Sequence, residues 1–180
     1  MTSSYMSPSV VTRLFCENIS RPVLKEVLCN KPYRIKDICG LSYCFNSSAG
    51  GVYIWLNYKP DDFIFIKADD PNYNGPLTSG MQIYVKVVGQ DQYLYLSTTS
   101  YVKTDSQTDA NVGKFMFDSP NSSIIKTGDS IYFHCIYKGT DYSIGKYYYT
   151  PATPSYYILA TGNNVLYTPV QIYDPTDSSI

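Results

Sequence analysis

Two segments of this chain carry nearly the same text. Leu77–Val85 reads LTSGMQIYV and Ile125–Phe133 reads IKTGDSIYF. In each, an aliphatic residue stands three before a glycine. A β-branched residue stands three after it, followed by Tyr and another apolar residue. A turn glycine feeding an alternating apolar run is the start of a half-buried strand. Gly50–Ile54 reads as a weaker third copy. The spacings between the copies are unequal, which excludes a solenoid of fixed period.

The stretch 77–120 is a strand, a turn at Gly89–Asp91, a second strand through Tyr93–Leu96, a third at 100–102, a polar loop over 105–113 and a closing strand Lys114–Phe117. Ile83, Val85 and Val87 alternate with Gln82, Tyr84 and Lys86, which is strand periodicity. Further strands are expected from residue 33 to the end. Turn signals punctuate them at 47–51, 59–62, 69–76, 139–141, 150–154 and 162–164. One expected strand, 165–173, contains Pro169 and so reads as an edge or a bulged strand. About a dozen short strands with turns every eight to twelve residues imply an all-β barrel or sandwich. Twenty tyrosines and almost no Glu agree with strands and Asp-bearing turns.

Residues 1–32 are expected to form a tail with two short amphipathic helices, ahead of a β-domain over 33–180. Val11, Leu14 and Phe15 have helical spacing. Ser20 and Pro22 offer a helix start, and Val23, Leu24, Val27 and Leu28 an apolar stripe. Helices this short need a surface to pack on, so these seven apolar residues are candidate docking contacts.

Gly-x-x-Ile-x-Val from Gly80, then Tyr93-Leu94, Tyr101-Val102 and Phe115-Met116-Phe117, resembles one unit of a β-trefoil. Gly128-Asp129 is similar to the Gly-Asp that often opens a trefoil repeat. The resemblance covers 77–175 better than 33–76. It implies a β-trefoil-like barrel carrying the N-terminal helical arm, with a β-sandwich or jelly roll as the alternative. The ricin-type lectins of that fold carry Gln-x-Trp. This chain has only Trp55, and its nearest equivalent is Gln171-Ile172-Tyr173.

The chemistry of the sequence points away from catalysis. The one histidine, His134, lies in mid-strand with Cys135 on the opposite face, so the two form no nucleophile–base pair. Asp61-Asp62 and Asp69-Asp70 are adjacent pairs whose side chains point apart, and no phosphate loop or nucleophile elbow is present. Cys39 and Cys44 lack a second pair for a four-ligand zinc site, so no metal and no cofactor is expected. Five cysteines without a secretory signal fit free thiols in a reducing compartment. No run is long enough to span a bilayer as a helix. Net charge is −1 with no basic stripe, which argues against a nucleic-acid partner.

Two candidate binding features remain. Tyr147, Tyr148, Tyr149, Tyr156 and Tyr157 flank the loop 150–154, and tyrosines around a Pro-containing loop make a rigid contact surface. Asp70, Asn72, Tyr73 and Asn74 match the first half of a calcium loop, but its twelfth position falls on Met81. The same four residues offer the aromatic and polar groups of a sugar site. The sequence therefore leads to a non-enzymatic structural or protein-binding module of a larger assembly. Its faint likeness to minor capsid (cement) proteins of large DNA viruses implies the cytoplasm or a virion. The alternative is a carbohydrate-binding, lectin-like module.

Overall fold

The computed structural model describes residues 24–46, 53–57, 59–97, 102–105, 113–150, 153–159 and 165–177. In chain order the strands are β1 (Pro32–Asp37), β2 (Ser42–Asn46), β3 (Tyr53–Asn57), β4 (Phe63–Lys67), β5 (Ile83–Val87), β6 (Tyr93–Leu96) and β7 (Val102–Asp105). They continue as β8 (Lys114–Asp118), β9 (Tyr132–Tyr137), β10 (Thr140–Ser143), β11 (Gly145–Thr150), β12 (Thr153–Leu159), β13 (Val165–Leu166) and β14 (Val170–Tyr173). The described residues contain no helix.

Six of the strands close on themselves. β1 pairs β4, β4 pairs β5, β5 pairs β8 and β8 pairs β9, all antiparallel. The bridge Ile131–Val170 carries the circuit to β14, which pairs back onto β1 with Ile35 opposite Ile172. The hairpins β2–β3, β6–β7 and β11–β12 extend from this ring, with β3 bridging to β7 and pairing β12. The result is one antiparallel sheet curled round.

Alternation puts one face of each ring strand inside. Tyr33 and Ile35, Phe63 and Phe65, Ile83 and Val85, Phe115 and Phe117, Phe133 and Cys135, and Val170 and Ile172 are all buried. Phe117 sits at the centre of the aromatic packing. Its ring stacks on Phe133 at 4.7 Å and meets Phe65 edge-on at 5.3 Å. Phe115 stacks on the same Phe133 at 5.1 Å.

The sequence repeat has a structural meaning. Leu77 N donates to Val27 O (2.7 Å), Val27 N to Ile125 O (2.9 Å) and Ile125 N to Leu77 O (3.0 Å). These three bonds form a closed triangle among fully buried residues. Three residues after each of them the backbone turns left-handed, at Asn30 (φ 60), Gly80 (φ 76) and Gly128 (φ 78). Three residues further, Tyr33, Ile83 and Ile131 enter the core. Val27–Ile35 is thus a further copy, and Gly50 to Val52 of the copy expected at Gly50–Ile54 lie outside the described residues.

The second expected helix is corrected for the same reason. Residues 24–28 form no helix and carry the bridges Glu26–Lys126 and Leu28–Pro76, and Cys29–Asn30 is a turn. Val27 and Cys29 are buried while Leu24 is 48% exposed and Leu28 half-buried, which is a period of two. Val23, Leu24, Val27 and Leu28 also fit a helical stripe, and tertiary hydrogen bonding decides between the two readings. Glu26, Val27, Leu28 and Cys29 are thus tied by backbone hydrogen bonds and bridges to the turns around Pro76 and Ile125. Val11, Leu14, Phe15 and Val23, and with them the first expected helix, lie outside the described residues.

Two smaller differences follow from turns. The expected strand 165–173 is two strands, since β13 pairs β11, β14 pairs β1, and Pro169 lies between them. The expected turn 139–141 is the tight Lys138–Gly139 connection, and β10 starts at once after it.

Gly80→Ala tests the repeat. The added methyl would have room, its nearest neighbour being Asp118 Oδ1 at 3.9 Å. The left-handed backbone alone should then cost about 1–2 kcal/mol. Urea unfolding measures it, and an unchanged midpoint would mean that the turn can relax to φ < 0.

Candidate functional site

Where β4 ends and the repeat turn begins, an open cleft of about 540 Å³ lies against the barrel. Lys67, Ala68 and Asp69 form one side, Thr78 to Gln82 another, and Tyr73 and Lys114 complete the wall. The register that places Lys67 opposite Ile83, and Ile83 opposite Phe115, brings these separate segments together.

Tyr73 is held from several sides. Its hydroxyl donates to Pro76 O at 3.2 Å. Its ring lies so close over Gly75 that a Cβ there would stand 2.4 Å from the tyrosine oxygen. Asn30, the residue with the left-handed turn, donates its side-chain amide to Pro71 O (2.9 Å) and Tyr73 O (3.0 Å). Lys67 Nζ stands 5.1 Å from the Tyr73 ring centroid and 3.2 Å from Asp69 Oδ1. The Thr78 hydroxyl, the Gln82 amide and the Lys114 ammonium have no hydrogen-bond or ion-pair partner among the described residues. The cleft therefore offers one aromatic wall, two ammonium groups against one carboxylate, and uncommitted donors.

Of the four residues read as a sugar or calcium loop, only Tyr73 lines this cleft. Asp70, Asn72 and Asn74 are exposed and tie the turn together. Asp70 Oδ1 accepts from Asn72 N (3.2 Å), Asp70 O accepts from Tyr73 N (3.1 Å), and Asn74 Nδ2 donates to Asn72 O (2.9 Å). With Pro71 O and Tyr73 O taken by Asn30, the loop's oxygens serve the turn. Among the described residues no cluster of three or more His, Cys, Asp or Glu is arranged to hold a metal. Lys67, Gln82 and Lys114 were not singled out from the sequence. Their one visible signal is their place at the ends of alternating strands around the Gly80 turn.

The tyrosine runs lie on the longest hairpin. Tyr147 is opposite Tyr157 and Tyr148 opposite Tyr156, and the register shifts between Tyr148 and Thr150, just before Tyr149 pairs would continue. Of the expected docking contacts, Val27 is in the core and Leu24 is on the surface.

Two other polar clusters serve the fold. His134 stands between Asp118 Oδ2 and Asp141 Oδ1, each 3.4 Å from a different ring nitrogen. The Nδ1 contact falls short of a hydrogen bond, and that buried nitrogen has no hydrogen-bond partner among the described residues. At the foot of the barrel, Asp37 faces inward and is buried. Its Oδ1 accepts from Cys39 N (2.9 Å) and Leu41 N (2.8 Å), and its Oδ2 from Lys146 Nζ (2.8 Å). Burial opposes the Lys146 charge, but the Asp37 hydrogen bond and charge outweigh it and hold the ammonium above its ordinary pKa. Cys39 Sγ lies 3.5 Å from that ammonium. The four described cysteines are free thiols. Burial pushes Cys29 up to about 11 and Cys135 up to about 12, which makes both inert.

No protein-family model and no curated protein matches this sequence. Solved structures do match its shape. A Saccharomyces cerevisiae protein O-mannosyltransferase Pmt1–Pmt2 complex bound to its sugar donor aligns with TM-score 0.65 and 14% identity, over 93% of this chain and 28% of that one. The lysenin pore aligns with TM-score 0.57 and 15% identity, over 83% of this chain and 48% of that one. A Kunitz-type trypsin inhibitor from Cicer arietinum aligns with TM-score 0.56 and 14% identity, over 83% of this chain and 94% of that one. This chain thus spans about half of the lysenin chain and a smaller part of the transferase chain. The Kunitz inhibitor is a β-trefoil, and the fold of this chain is all-β and β-trefoil-like. At these identities the likeness extends to fold alone. No helix among the described residues is long and apolar enough to cross a membrane.

Proposed function

We propose that this chain is a non-enzymatic binding module on the full trefoil plan, six ring strands and three hairpins, and that it takes a carbohydrate in the cleft at the Gly80 turn. The observation that carries this reading is the combination of a fixed aromatic wall, Tyr73, with the uncommitted Thr78 hydroxyl and Gln82 amide in one open cleft. Saccharides are held by an aromatic face and a few placed hydrogen-bond groups. The lining includes no His, Cys or Glu and only one Asp, so it lacks the acid–base or nucleophile pairs of hydrolysis.

A glycan array followed by calorimetric titration tests this. Gln82→Ala removes hydrogen bonds without touching the core, and it should weaken the best glycan about tenfold, or 1.4 kcal/mol. Equal affinity in wild type and variant would place the ligand elsewhere.

The second reading is a protein-docking module of a larger assembly in the cytoplasm or a virion, such as a minor capsid protein of a large DNA virus. The cross-strand tyrosine pairs of β11–β12 favour it, since paired tyrosines suit a protein contact surface. Under that reading the array is blank and native mass rises with concentration.

A further inference from the structure

Resting on the carbohydrate reading of the cleft, we infer that its ligand is an acidic saccharide whose carboxylate or sulfate is received by Lys114 together with Lys67. The chain as a whole carries net charge −1, yet the cleft holds two ammonium groups against the single Asp69 carboxylate. That carboxylate is a weak competitor. The Asp69 side chain is 78% exposed, and its 3.2 Å contact with Lys67 is a solvent-screened surface pair that a ligand anion can displace. Lys114 has no carboxylate partner among the described residues.

The position of Lys67 decides between neutral and acidic sugars. Its ammonium stands over the Tyr73 ring, 5.1 Å from the centroid. A neutral pyranose stacking on that face would have to displace the cation and lose its attraction to the ring. An acidic sugar instead uses the cation where it stands. Its anionic oxygens accept from Lys67 and Lys114, while its hydroxyls meet the Thr78 hydroxyl and the Gln82 amide. Charge-assisted bonds of this kind are roughly twice as strong as neutral ones. The aromatic wall thus also steadies the lysine that meets the anion.

The full-length chain would be titrated by calorimetry with three probes of similar size at low salt. These are an oligogalacturonate, a sulfated heparin-type oligosaccharide and a neutral galactose oligomer. The expected result is binding of at least one acidic probe roughly tenfold or more tighter than the neutral one, weakening as salt screens the charges. Carboxylate and sulfate are told apart by which of the two acidic probes binds. Lys114→Gln and Lys67→Gln should each abolish the preference. Lys138→Gln, an exposed lysine in the β9–β10 turn, should leave it unchanged. Thermal melts of all variants guard against misfolding. Equal binding of the neutral probe overturns the acidic inference and leaves the carbohydrate reading standing. An equal loss in Lys138→Gln overturns it as diffuse attraction. Binding of none of the three overturns the acidic inference, and only a blank glycan array overturns the carbohydrate reading with it.

Discussion

Lys146→Met should cost about 3–5 kcal/mol at neutral pH, because it leaves the Asp37 carboxylate buried without its cation. Asp37 is among the most enclosed polar residues of the barrel, with only 3% of its surface exposed. Two backbone N–H groups still reach its Oδ1, but Oδ2 loses the 2.8 Å bond to Lys146. The double variant Asp37→Asn/Lys146→Met removes both charges and keeps an oxygen for Cys39 N and Leu41 N. It should recover most of the loss, since a buried ion pair replaced as a unit is often close to neutral. Urea unfolding of the two single variants and the double closes the cycle. A single Lys146→Met variant as stable as wild type would mean that Asp37 finds another partner.

The pH dependence of the same pair has a definite sign. The folded state holds the Lys146 proton more tightly than the unfolded chain, so its pKa is raised above the ordinary 10.5. The stability it contributes is fully present below that ordinary value and is lost as pH rises through the folded one. Lys86, held by Asp91, is shifted the same way. The relevant measurement is therefore the difference between wild type and the double variant. That difference should shrink in wild type's disfavour only above the ordinary lysine range.

Phe117→Ala should cost about 3–5 kcal/mol through lost burial and the cavity left behind. Phe117 is fully buried and its ring touches both Phe133 and Phe65, so the void opens where three strands' side chains meet. The barrel wall is a hydrogen-bonded ring and cannot collapse inward to fill it, which puts the expected value toward the upper end. Phe117→Leu keeps most of the volume and should lose less than half as much. Equal effects of the two substitutions would mean that the aromatic contacts, and not the volume, hold this site.

The strands were legible because their alternation is written in consecutive residues. Ile83, Val85 and Val87 need no knowledge of their neighbours to be read as one buried face. Two of the three repeat turns were legible because glycine marks the left-handed residue. The third was not. Asn30 takes the glycine's place, Tyr33 takes the isoleucine's, and Val23, Leu24, Val27 and Leu28 also fit a helix. Only the hydrogen-bond triangle joining Val27, Leu77 and Ile125 shows that the segment is a repeat. Of the cleft, Tyr73 was legible as an aromatic among polar residues. Lys67 and Lys114 were not, since a lysine at a strand end looks like any solvated lysine.

The sequence by itself determined an all-β body from residue 33 on, the inward residues of most of its strands and the turns between them, because each rests on a period or a local backbone preference. The tertiary structure alone decided that these strands join into one curled sheet and that Glu26 and Leu28 bridge to the two repeat turns. It alone brought Lys67, Tyr73, Gln82 and Lys114 to one cleft, and it paired Asp37 with a lysine 109 residues away. Contacts of that kind depend on how distant strands pair, and no window of neighbouring residues contains that information.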